Sequence, residues 1–179
     1  MGNYQTIYSK VFWSILFVII FMGMVGNTFA RSDSTTIIAT ADDQFQLYLN
    51  GKLVMEGREW LSPPKPIMVK LSPGDVLSAK GKDFGIKAGF LLSAKGKHNF
   101  VSDTTWKVFS GKELTGWNTK SFNDASWENA TSYGAYGVDP WIKKVKGFSN
   151  QKANWIWSKK NQTGTSNIDS VVFFRKKIK

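Results

Sequence analysis

Residues 45–51 constrain this chain more than any others. Phe45, Leu47 and Leu49 fall on one side of an alternating run, with Gln44, Gln46 and Tyr48 on the other. A repeat of two is the signature of a half-buried strand. Asn50-Gly51 follows at once, and both residue types tolerate the positive φ of a tight hairpin turn. Lys52-Leu53-Val54-Met55 then reads as the returning strand. A hairpin of this kind has to bury its apolar side against further strands.

The rest of the chain supplies them. Ile67, Val69 and Leu71 alternate with Met68, Lys70 and Ser72, and Pro73-Gly74-Asp75 turns the chain into Val76-Leu77-Ser78-Ala79. Ile86, Ala88, Phe90, Leu92 and Ala94 alternate through a further predicted strand, and Trp106 and Val108 mark another. Residues 171–175, Val-Val-Phe-Phe-Arg, are β-branched and aromatic, as a central strand requires. After Ala30 no stretch of ten residues keeps a period of 3.6. Short strands with closely spaced turn signals predict an all-β chain, a jelly-roll β-sandwich in one domain. Residues 58–66 are a loop broken by Pro63, Pro64 and Pro66. Residues 111–140 are long and irregular, with a short helical turn expected over 124–129. Residues 158–170 form a polar connection between the last two strands.

Residues 1–30 stand apart. Lys10 precedes an apolar run over 11–22, interrupted by Ser14, and Thr28-Phe29-Ala30 offers small residues at the two positions a signal peptidase reads. This is the layout of a secretory signal peptide cut after Ala30, leaving residues 31–179 as the mature domain. The rival is an uncleaved membrane anchor, since the run approaches spanning length; the small-x-small site favours cleavage. The chain has no cysteine, so an exported domain relies on its core alone. That combination points to a bacterial envelope or secreted protein, in the periplasm or outside the cell.

Four pieces in this order resemble the galactose-binding-domain-like β-sandwich family, whose members include carbohydrate-binding-module-like domains. They are residues 41–51 (Ala-Asp-Asp, the alternating strand, Asn-Gly), residues 71–77 (Leu-Ser-Pro-Gly-Asp-Val-Leu), residues 102–108 (Ser-Asp-Thr-Thr-Trp-Lys-Val), and Gly116-Trp117 followed by residues 122–130. Segments like the last two occur in accessory domains of several glycoside hydrolases. The resemblance covers most of residues 37–175. It implies a sandwich of about eight strands and a non-catalytic role, often sugar binding at loops. It also implies that Asp42, Asp43, Asp103, Trp106, Asp124 and Trp127 chiefly maintain the fold.

Residue chemistry agrees that catalysis is not the role. There is one histidine, His98, and no Gly-x-Ser-x-Gly elbow. With no cysteine, a zinc site would need carboxylates almost alone. Glycoside hydrolysis needs two converging carboxylates, and the pairs to consider are Glu56 with Glu59 or Asp124 with Glu128. No cofactor is implied. Structural calcium stays open, because Asp42, Asp43 and loop carbonyls are hard oxygen ligands, although no calcium-loop spacing is present.

Charge points to the partner. Residues 141–179 hold ten Lys and Arg and a single acid, Asp169, out of a net +11 for the chain. Aromatics are 15% and include eight tryptophans. The first expectation is a secreted module for glycans or acidic saccharides, with Trp60, Trp117, Tyr133, Tyr136 and Trp141 as stacking candidates and Lys143, Lys144 and Lys146 as cations. The alternative is a binder of anionic lipid headgroups, phosphoinositide or membrane surface, in which the basic C-terminal region supplies the field and Phe148 enters the interface. Nucleic acid suits the charge but not the export signal. Oligomeric state is not legible.

Overall fold

A computed structural model describes residues 33–149, 152–159 and 169–179. The expected signal segment, residues 1–30, and most of the polar connection 158–170 lie outside the described residues. Twelve strands are formed among the described residues: β1 (Ser34–Asp42), β2 (Gln44–Leu49), β3 (Lys52–Gly57), β4 (Ile67–Lys70), β5 (Val76–Lys82), β6 (Gly89–Gly96), β7 (Phe100–Val101), β8 (Lys107–Ser110), β9 (Glu128–Asn129), β10 (Thr131–Ala135), β11 (Asn154–Trp157) and β12 (Val171–Lys177).

They build two antiparallel sheets, the sandwich the alternation predicted. The first runs β10-β11-β6-β1-β4, with β7 added to β6; the second runs β3-β2-β5-β12-β8-β9. The β2–β3 hairpin turns at Asn50 (φ 52°) and Gly51 (φ 89°), the left-handed pair that a two-residue turn needs. Asn50 also fastens the turn to β5: its carbonyl oxygen accepts from Val76 N at 2.9 Å and its amide donates to Asp75 Oδ1 at 3.0 Å.

Between the sheets, Ile37, Ala39 and Ala41 of β1 and Phe90, Leu92 and Ala94 of β6 meet Phe45, Leu47, Ala79, Val172 and Phe174. Trp106 and Trp157 complete this core, both fully buried. Gly81 is glycine because the Trp157 ring lies over it, 2.6 Å from where a Cβ would sit.

The outer faces are not left to water. Phe90, Leu91 and Leu92 are all fully buried, so β6 is covered on both sides, as a continuous apolar run demands. Residues 136–149 lie across the outside of the first sheet, where Trp141, Val145 and Phe148 pack on Ile38, Leu91 and Trp155. Residues 111–127 do the same for part of the second sheet, with Trp117 and Trp127 against Phe173. These two irregular segments, carrying Trp141 in one and Trp117 and Trp127 in the other, are thus lids on sheets.

Two local expectations are corrected. Residues 124–127 close as a turn, Trp127 N donating to Asp124 O at 3.0 Å, and lead into β9 rather than a helix. Ile86 belongs to a loop and is 72% exposed. Its neighbour strand β1 ends at Asp42, opposite Gly89, so residues before Gly89 have no ladder to join.

Candidate functional site

The lid over the second sheet covers only half of its outer face. Over β12 and β8 the side chains of Phe173 and Phe109 lie under Trp117 and Trp127. Tyr48 of β2 and Ser78 of β5 also meet this lid, at Trp117 and Asn118. Over β3 and the ends of β2 and β5 at residues 44–46 and 80–82 the face stays open, and it is polar. Strand alternation puts Gln44, Gln46 and Tyr48 outward while Phe45 and Leu47 enter the core. Register then sets them beside complementary groups: Gln46 lies between Glu56 and Lys80, and Gln44 beside Lys82.

The result is a depression of about 130 Å³ bounded by Gln44, Gln46, Glu56, Arg58, Lys80 and Lys82. A more open hollow of about 340 Å³ adjoins it, shares Glu56, Gly57 and Arg58, and extends to Glu59, Ser62 and Pro64. One wall is braced. Glu113 takes a 2.5 Å ion pair from Lys80 and a 2.9 Å hydrogen bond from Trp117 Nε1. The Lys80 contact, set against some burial, holds the Glu113 carboxyl below its ordinary range. Tyr48 donates to Gln46 Oε1 at 3.1 Å. Burial pushes the Tyr48 phenol above its ordinary value, so it remains a neutral donor.

Such a surface sets donors and acceptors side by side, all on strands except Arg58. Two amides, one carboxylate, a guanidinium and two ammonium groups can pair with the hydroxyls of a polyol, each of which both donates and accepts. Sequence reasoning missed it because it looked for aromatics in loops. The available signal was the outward triad Gln44, Gln46 and Tyr48 of the first strand recognised.

The residues predicted from sequence fall elsewhere. Trp117 is 3% exposed and Trp141 2%, so neither offers a free ring to a sugar. Trp60 is half-buried, edge-on to Trp155 at 6.0 Å. Tyr133 is half-buried with its hydroxyl donating to Ser158 O at 2.7 Å. Tyr136 is half-buried, accepting from Val145 N at 3.1 Å and packing on Phe148. Lys143, Lys144 and Lys146 are exposed on the lid over the first sheet. Phe148, cast to enter an interface, is 6% exposed. The basic residues of 141–179 do not form one patch: Lys176, Lys177 and Lys179 lie at the far end of β12, in or beyond the second sheet.

The acidic residues act structurally. Asp42 Oδ2 accepts from Trp141 Nε1 at 2.9 Å, Asp43 from Phe84 N at 2.7 Å, and Asp103 from Thr105 N at 2.9 Å. Asp124 is ion-paired with Arg175 at 2.8 Å, which removes it from any catalytic pair with Glu128. Among the described residues no group of three or more His, Asp or Glu side chains is placed to hold a metal ion.

Asp42 carries a pH dependence. Burial raises its carboxyl from 3.8 to about 6; the Trp141 hydrogen bond opposes this, and the Asp43 and Asp83 carboxylates add to it. Burial raises Asp83 as well. A carboxyl whose value is raised by folding binds its proton more tightly in the folded state. Its contribution to stability is therefore best at acid pH and declines as pH rises from 3.8 to about 6. Asp42→Asn stays neutral and keeps an oxygen for Trp141. It should melt higher than the parent at pH 7.5, with the gap closing at pH 4. A variant melting lower at both values contradicts this.

No family model matches the chain. A stretch of 63 residues is 32% identical to an alpha-L-rhamnosidase of Streptomyces avermitilis, covering 34% of this chain and 6% of that protein. Among solved structures, a Pleurotus ostreatus lectin in its apo form superposes with a TM-score of 0.46 at 24% identity, over 60% of this chain and 34% of the lectin. The same lectin in complex with GalNAc gives 0.46 at 23% identity over the same shares. The chain thus spans a small part of the curated relative and about a third of the lectin.

Proposed function

We propose that residues 31–179 form an exported, non-catalytic carbohydrate-binding module that takes a saccharide chain on the open half of the second sheet's outer face. The observation that carries this reading is the set Gln44, Gln46, Glu56, Lys80 and Lys82 on adjacent strands, with Arg58 just past the end of β3, around one depression. Rigid placement limits the ordering cost of binding. The similarity of a short stretch to part of a rhamnosidase is in keeping with a domain attached to sugar chemistry. Lys80 is already paired with Glu113 and Glu56 offsets one further charge, so the depression suits neutral or weakly acidic saccharides.

A glycan array on the mature protein, followed by calorimetry on the best ligand, tests the reading. Arg58→Ala and Gln46→Ala should each weaken binding by about tenfold or more, the worth of a hydrogen bond to a charged or well-placed polar group. Trp60→Ala and Tyr136→Ala should leave affinity within about twofold by the same scale. The reverse pattern would move the site to the loop aromatics, and release of reducing sugar from the ligand would place the protein among enzymes.

A further inference from the structure

A larger cleft lies at the opposite end of β12. That strand runs from Val171, paired with Lys82, to Lys177, paired with Val76. Six residues of strand separate the two ends by about 20 Å. The cleft holds about 470 Å³, within the range of small-ligand sites, and its lining includes His98, Phe100, Lys107, Lys177, Ile178 and Lys179.

Its charge is one-sided once existing pairs are removed. Arg175 and Asp124 both reach the cleft, but they neutralise each other at 2.8 Å. Lys176 donates to Thr105 Oγ1 and stands 3.9 Å from Asp103, so its charge is shared. Lys107 spends one donor on Trp127 O at 3.1 Å and has two more. Lys177 and Lys179 are exposed and have no acidic partner among the described residues. Three ammonium groups thus line a concavity, and among the described residues no carboxylate side chain is paired with them. Phe100, half-buried, gives the cleft an apolar side on which the C–H face of a sugar ring can rest, with the buried Ile178 behind it. His98 is anchored there, Nε2 donating to Leu71 O at 3.1 Å.

We infer that this cleft is a second binding site, which takes the sulfate or carboxylate groups of an acidic saccharide. It does not depend on the depression over β2, β3 and β5, and the two can fail separately. The probes are a heparin-derived sulfated tetrasaccharide, trigalacturonate, and vesicles of phosphatidylcholine with a third phosphatidylglycerol, each titrated into the mature protein at low salt. At least one of the two saccharides should bind and shift amide signals of residues 98–100 and 176–179. Lys177→Ser/Lys179→Ser, two exposed positions whose loss spares the core, should weaken that binding at least tenfold. Lys107→Met should weaken it further, and Arg58→Ala should not change it. Raising salt from 50 to 300 mM should also weaken it, because the Debye length shortens. No binding of either saccharide at low salt, or binding that survives the double lysine change, overturns the inference. Vesicles bound through these lysines while both saccharides fail would also overturn it, in favour of a lipid headgroup. Loss of saccharide binding in Arg58→Ala alone would leave only the first site.

Discussion

Trp141→Ala is expected to destabilise the domain by about 3–5 kcal/mol, the range for truncating a buried tryptophan. In sequence this residue looks like a sugar platform, sitting in a polar stretch beside three lysines. In the fold its ring stacks on Trp155 at 4.5 Å with 19° between planes, and its edge lies 2.9 Å from where a Gly89 Cβ would be. Removing it opens the outside of the first sheet over Ile38 and Leu91 and takes the donor from Asp42. Trp141→Phe keeps most of the packing and loses the hydrogen bond, so about 1–2 kcal/mol is expected. Urea unfolding should show the midpoint falling in that order. An alanine variant with the parent's midpoint but no ligand affinity would return Trp141 to a binding role.

The second large effect is expected at Arg175, which sequence places as the basic end of a strand. It is 2% exposed, and its guanidinium donates to Asp124, to the carbonyls of Trp117 and Thr119, and to Phe122 O at 3.3 Å. Its charge also lies 5.2 Å from the Phe122 ring. This one side chain thus gathers the segment over 117–124 onto β12. Arg175→Ala leaves a carboxylate and three carbonyls without their donor, and about 4 kcal/mol should be lost. Arg175→Lys keeps the charge but not the fork, and about 3 kcal/mol should still be lost. A lysine variant melting within two degrees of the parent would refute the account, since at this domain size 1 kcal/mol moves the melting point by roughly 2–8 °C.

Local signals were enough for the sandwich. The β2–β3 hairpin is written in seven consecutive residues, because alternation and an Asn-Gly turn involve only neighbours in sequence. The same holds for the Pro73-Gly74-Asp75 turn, where Asp75 N donates to Ser72 O at 3.0 Å. The structural role expected for Asp42, Asp43, Asp103 and Asp124 also stands, each carboxylate holding a nearby amide, indole or guanidinium.

The site was much less legible. Gln44 and Gln46 were visible as the polar side of a strand, but the groups that make them a site, Glu56, Lys80 and Lys82, come by register from β3 and β5. Lys80 and Lys82 occur in a run that alternates with Ala79 and Gly81, and only the pairing with β2 shows which side they take.

What the sequence determined by itself was the run of strands, the turns between them and the sign of the charge. These follow from backbone preference and side-chain alternation over a few residues. Only the tertiary structure decided which aromatics are buried and where the charge goes. Trp141 meets Asp42 across 99 residues, and Arg175 meets Asp124 across 51. A tryptophan's exposure depends on whether a sheet lies beneath it, and a lysine's reach depends on which end of a strand carries it. Neither is a property of the residues beside it in the chain. For that reason one basic stretch of sequence became separate surfaces, with its tryptophans turned inward.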